Sequence, residues 1–211
     1  MALARVSTVD ALAAELRRQI LDGELAAGSR LVERELCADF EVARHTLRAA
    51  LRTLAAQGLV RIEPHRGASV ARLGAADLAP LYELRAALEL EAAHLALERH
   101  GGTLPAPVHD ALADLERACA QPAAWSEVTD RHLALHAAIV AAAGSPRIEA
   151  AHAALAGEMR LFLLQLKPLF TAEGIAADHA RLIAALESEG PGALREHLRD
   201  AAQTLSRHER S

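Results

Sequence analysis

The chain of 211 residues should fold as a mainly α protein in two parts. The expected front part, residues 1–73, is three helices followed by a β-hairpin, and the expected rear part, residues 74–211, is an antiparallel all-α bundle. Three observations lead there. Apolar residues make up 52% of the sequence but aromatics only 2%, so Leu, Ala, Val and Ile must fill the core. That suits helix-on-helix packing far better than a β-sandwich. Apolar positions recur mostly at helical spacing, with strand-like alternation only near residues 60–71. Charge also changes along the chain: residues 1–73 hold 11 Arg against 9 acids, while the remaining 12 basic residues face 19 acids. A mildly basic front and an acidic rear fit either a polyanionic partner for the front or ordinary variation.

In the front part, Leu12, Leu16 and Ile20 fall at i, i+4 and i+8, one face of a first helix that Gly23 can stop. The loop ELAAGSRL follows, then ERELCADF as one or two turns of a second helix. A third helix should run from about Ala43 to Gln57, with Leu47, Leu51 and Leu54 inward and Gly58 at its end. Val60 and Ile62 flank Arg61 in a short alternation, Pro64 to Gly67 carries turn chemistry, and Val70 begins a return strand. This is the order of a winged helix-turn-helix. Arg44, Arg48 and Arg52 lie one turn apart on the third helix, away from the leucine stripe, and only Arg44 has a carboxylate within a turn, Glu41. Such a row can enter a DNA major groove, where Arg bonds a guanine edge or a phosphate. The competing reading is a solvated charged face, although such faces usually interleave acids with bases.

Behind Gly74 the pattern changes to long helices. Asp77 can cap one running to about His100, with Pro80 in its first turn. Others should span 105–118, 125–143, 145 to about 167, 172–188 and 192–207, with Ser145–Pro146 opening the third of these. No run of ~18 uncharged apolar residues exists to cross a membrane. The first residues reach charge too early for a secretory signal. Cys37 and Cys119 are too few for a disulfide framework and read as reduced thiols in a cytoplasmic protein.

The segment GELAAGSRLVERELCADFEVARHTLRAALRTLAAQGLVRIEPHRGASV resembles the GntR family of bacterial transcription regulators, in its FadR-type branch with an FCD effector domain. The family pattern runs close to G-x-L-x-P-G-x-x-L-x-E-x-x-L-A-x-x-x-x-V-S-R-T-P-V-R-E-A-L-x-x-L-x-x-x-G-L-V, then a wing with R-G-x-x-V. The resemblance implies operator contacts by Arg34, Arg44 and Arg48, by His45 and Thr46 at the start of the recognition helix, and by Arg66 and Gly67 at the wing tip, with His65 beside them. Ala27, Ala43, His45 and Ala49 depart from the pattern. Ala43 replaces the usual Ser or Thr cap, so a capping bond, typically ~1 kcal/mol, should be missing.

His132 and His136, at i and i+4, project from one helical face and can grip one metal ion. The motif HAAIVAAAGSPRI resembles the FCD pattern F-H-x-x-L-x-x-A-x-G-N-P. The resemblance implies a metal site of His132, His136, His179 and His197, with His132 standing where the family has aspartate. The His179–His197 separation is about one helical turn shorter than is usual in the family. Four neutral imidazoles suit Zn²⁺ or Ni²⁺, and with one carboxylate fewer the site should favour an anionic effector more strongly. The resemblance matches Arg85 to an arginine of the family's first effector-domain helix and puts Arg160 on a helix that usually lines the pocket; either can pair with an effector carboxylate or serve as a salt-bridge partner.

The function expected is a metabolite-responsive regulator, not an enzyme. It binds double-stranded operator DNA as a homodimer, has no membrane partner, takes a small carboxylate effector, and most often represses. Two other readings compete: the same regulator with a metal-free pocket, and a metal-dependent hydrolase with Glu127 or Asp130 as base. The sequence has no H-E-x-x-H, G-x-S-x-G or G-x-x-x-x-G-K-[ST] to support the last.

Overall fold

The computed structural model describes residues 7–72, 75–121, 124–165 and 171–208. Their contacts divide the chain into two compact units, Met1–Arg72 and Leu73–Ser211. Among the described residues no helix is long and apolar enough to cross a membrane.

The first unit is built on helices α1 (Thr8–Leu21), α2 (Glu33–Asp39) and α3 (Arg44–Ala56). Helix α1 starts at Ser7, whose hydroxyl accepts from the Asp10 amide, and it buries Leu12, Ala13, Leu16 and Ile20. Helix α3 buries Leu47, Ala50, Leu51 and Leu54, the stripe its spacing predicts. Ala43 does stand at its N-cap without a side-chain bond. Strands β1 (Arg30–Leu31), β2 (Val60–Glu63) and β3 (Gly67–Val70) form an antiparallel sheet in the order β1-β3-β2. The hairpin pairs Val60 with Val70 and Glu63 with Gly67. Two corrections arise here. Residues 30–31, expected as loop, pair with Ser69 and Ala68 as a third strand. Ile62, expected inward beside Val60, is 47% exposed.

The second unit has seven helices among its described residues: α4 (Ala75–Arg99), α5 (Ala106–Ala120), α6 (Trp125–Ala142), α7 (Pro146–Ala153), α8 (Ala156–Gln165), α9 (Ala172–Glu189) and α10 (Gly192–His208). Its core joins Leu97, Leu115, Leu135, Ile139, Phe162 and Leu186, with Tyr82 edge-on to Phe162. Helix α4 starts before Asp77, so Asp77 lies in its first turn instead of capping it. Pro80 consequently sits one turn deeper than expected and forgoes one backbone bond. The single helix expected from 145 to 167 is two, α7 and α8, separated at Ala154–Leu155. Residues 166–167 of that expectation lie outside the described residues. Cys37 and Cys119 are both free.

Candidate functional site

The first unit presents arginines on one face of α3. Arg44, His45, Arg48 and Arg52 are exposed opposite the buried leucines, and Thr46 is half-buried. Arg34, on α2, is 84% exposed at its side chain and lies 3.9 Å from Glu35. The row is not free of carboxylates, as its own helix would imply. Arg48 Nε donates to both oxygens of Glu33 on α2, at 2.9 and 3.1 Å. The guanidinium of Arg48 in turn holds the Glu33 carboxyl below its usual range. Arg48 nonetheless stays 58% exposed, so the pair leaves most of its side chain in solvent.

At the wing, His65 has φ +63° and Gly67 φ +87°. Only the glycine takes such a conformation without cost, and nothing stands within 4 Å of where its Cβ would be. Arg66 is 83% exposed at its side chain and lies 3.4 Å from Glu63. Arg30 Nη2 donates to the Arg66 carbonyl at 3.3 Å. Together with His65 and Gly67, these residues line a concave patch. Arg30 escapes a reading by helical spacing because it reaches the wing through the β1–β3 pairing.

In the second unit, the four histidines meet. His132 and His136 come from α6, His179 from α9 and His197 from α10. Neighbouring ring centroids lie 4.6–5.7 Å apart. The ligand nitrogens of His132, His136 and His179, all buried, lie within 4.8 Å of one another. Burial pushes all four imidazoles below their ordinary range, His197 to about 3, where the charges of His136 and Arg85 add to the effect of burial. Uncharged rings are what metal ligation requires.

Tautomers sharpen the point. His136 Nδ1 is 2.8 Å from Glu89 Oε2, and His179 Nδ1 is 2.7 Å from the Ile175 carbonyl. Both partners accept only, so each neutral ring carries its proton on Nδ1 and directs a lone pair from Nε2. Those two Nε2 atoms face each other at 3.2 Å. Without a proton or cation between them the contact is repulsive. Imidazole nitrogens sharing one ion at about 2.0–2.1 Å are held at about this separation. The donor set therefore fits a divalent ion.

Behind His136 lies a feature that spacing alone did not reveal. Glu89, 1% exposed on α4, accepts from Arg85 Nε at 2.7 Å and lies 3.0 Å from His152 Nε2 with the same oxygen. Its other oxygen takes His136. Burial would raise this carboxyl, but the charge of Arg85 and the two imidazole bonds outweigh it and hold it well below the carboxylate range. A carboxylate behind a ligating histidine fixes the ring and its tautomer. The available signal was Arg85 and Glu89 at i and i+4 on an otherwise apolar helix face. His152, on α7, is half-buried in this network.

Arg85, 2% exposed, borders a cavity of about 360 Å³ together with His132, His179 and His197. Its Nη2 is buried without a hydrogen-bond partner. Arg160 does not share this position: it forms a two-bond fork with Asp130 and is not among the residues lining that cavity. Of the two alternatives open for Arg160, the salt bridge to the protein's own carboxylate is the contact observed. The same fork occupies Asp130, one of the two bases a hydrolase reading would use.

Residues 8–70 match the model of bacterial regulatory proteins of the gntR family, and residues 80–204 match the FCD domain. The gluconate operon transcriptional repressor of Bacillus licheniformis is 37% identical over 87 residues, 41% of this chain and 35% of that protein. The chain thus spans about a third of the length of that curated relative. A solved structure described as a GntR transcriptional regulator from Rhodococcus sp. RHA1 covers 94% of this chain and 97% of its own, at 27% identity and a TM-score of 0.75. Escherichia coli McbR/YncC, 21% identical over 97% of this chain and 99% of its own, shares the fold with a TM-score of 0.72. The family is one of regulators, not enzymes, which leaves the hydrolase reading without support. By these matches the chain belongs to the GntR family of bacterial regulatory proteins, with an FCD domain behind its winged helix-turn-helix.

Proposed function

We propose that this protein is a metabolite-responsive transcriptional regulator, a repressor by default, acting in the cytoplasm. Residues 1–73 bind a roughly palindromic operator, residues 74–211 hold the effector, and two chains form the DNA-binding homodimer. The observation that carries the reading is the exposed face of α3, where Arg44, Arg48 and Arg52 stand one turn apart opposite buried leucines. Arg44 and Arg48 read base edges; His45 and Thr46 approach base or backbone. Arg34 neutralises phosphate, while Arg66 and Gly67 bring the wing close to the minor groove. Glu33 positions Arg48, because its two-oxygen contact limits the directions the guanidinium takes.

In the helical unit, His132, His136, His179 and His197 hold a divalent ion, Zn²⁺ or Ni²⁺. The facing Nε2 atoms of His136 and His179 support this assignment. When bound, the ion adds positive charge and Lewis acidity beside the cavity. Glu89 keeps the His136 proton on Nδ1, and the Ile175 carbonyl does the same for His179. Arg85 offers its unpartnered Nη2 to a small carboxylate effector. Differential affinity of that acid for two states shifts the population able to grip DNA.

The test is binding of the full chain to the DNA upstream of its own gene, with a scrambled duplex as control. Specific binding that weakens in both Arg44→Ala and Arg48→Ala supports the reading. Unchanged affinity in both variants overturns it.

A further inference from the structure

Arg85 borders a second cavity. This space, about 310 Å³, lies among α6, α7 and α8 and is walled by Leu133, Val140, Leu155, Met159 and several alanines. Its polar lining comes from Arg85, His136, Glu149 and His152. Glu89 already engages one nitrogen of His136 and one of His152, while Arg85 retains a buried nitrogen with no partner. The two cavities differ in what they offer beyond that arginine. The first has apolar wall at Leu163, Ile175, Leu182 and Leu198 but mixes it with Asp178, Arg181, Glu189, Glu196 and Asp200, a mostly acidic set that repels a second carboxylate and keeps water beside any hydrocarbon placed there. The second is hydrocarbon on most of its surface. A polyhydroxylated acid placed there would leave its hydroxyls facing Leu, Val and Met without hydrogen bonds. An alkyl or aryl group would instead leave water for an apolar surface.

We propose that the effector is a monocarboxylate with a short apolar tail, its head on Arg85 and its tail in the cavity between α6, α7 and α8. This rests on the reading that a carboxylate binds at Arg85, and it narrows the acids that qualify. The class is set by chemistry: one negative charge for one unpaired buried guanidinium nitrogen, and apolar surface for apolar walls.

The test is calorimetric titration of the zinc-loaded full chain with acetate, butyrate, hexanoate and gluconate. Affinity should tighten about fourfold per added methylene, with gluconate no tighter than acetate. Ala153 is exposed and lines the second cavity, so Ala153→Phe should fill that space without unfolding the unit, which a melting curve checks. In this variant the gain with chain length should vanish and acetate affinity should stay as it was. Equal affinity along the series, or a gain that Ala153→Phe retains, overturns the tail assignment alone, provided acetate binding still weakens in Arg85→Lys. Carboxylate binding indifferent to Arg85→Lys, or absent for every acid, overturns the underlying reading as well.

Discussion

Arg44 and Arg85 put the same guanidinium to opposite uses. Arg44 stands exposed at the start of α3, in a row with two other arginines. Arg85 is 2% exposed, bonded to a buried glutamate and flanked by a cavity. A charge left in water interacts weakly with any single neighbour and is screened by salt, so several in a row are needed, and their natural counterpart is large and repetitive. A charge taken out of water must be matched almost atom for atom, so one unpaired nitrogen is enough to select a small ligand. On the proposed reading, the front unit meets a long polyanion with many exposed contacts and the rear unit distinguishes among small molecules with few buried ones.

The largest expected effect tests the buried side. Glu89→Ala leaves Arg85 charged and unmatched in the interior, which should destabilise the helical unit by about 3–5 kcal/mol. Urea unfolding measures this, and a change near zero would mean that Arg85 reaches water. A second blow to the same region comes from acid. The unfolded histidines titrate near their ordinary 6.5, whereas the four buried rings lie lower, His197 at about 3. In this range the unfolded chain binds more protons than the folded one. The histidine contribution is therefore complete above the unfolded value and is lost as pH falls toward the folded ones. Chelator-treated protein should show a lower urea midpoint at about pH 5 than at about pH 7.5; an equal or higher midpoint would contradict the burial argument.

Effects on the exposed side are smaller and appear in binding. Arg44→Ala and Arg48→Ala should each cost about 1–3 kcal/mol of specific affinity, measured by titration with operator DNA. Arg34→Ala should instead weaken specific and non-specific binding alike and reduce the salt slope by about one. A sequence-selective loss at Arg34 would blur the division between base and phosphate contacts. The smallest expected effect is a gain: Ala43→Ser supplies the missing cap of α3, which should stabilise the first unit by about 1 kcal/mol in thermal unfolding.

The two regions were also unequally readable in sequence. Helices α1 and α3 and the arginine row follow from i, i+4 spacing, because a helix brings such residues together without help from the rest of the chain. The same rule places His132 beside His136, while His179 and His197 joined them through the resemblance to FCD domains. What spacing missed depends on contacts between elements. Strand β1 is two residues whose only strand-like property is pairing with β3. Glu33 meets Arg48 from another helix, 15 residues away, and His152 meets Glu89 across 63. The break between α7 and α8 falls at Ala154–Leu155, where neither Gly nor Pro marks it. The partner of Arg160 was hidden for a related reason: a helix position predicts which way a side chain faces, not that Asp130 of another helix will meet it.

The claim on which the rear unit's function turns is that its histidines hold a metal ion. Elemental analysis of the full chain, purified without a nickel column and dialysed, addresses it directly, with His136→Ala as the control. The account predicts about one divalent ion per chain in the unmutated protein and its loss in the variant. Only trace metal in the unmutated protein would contradict it.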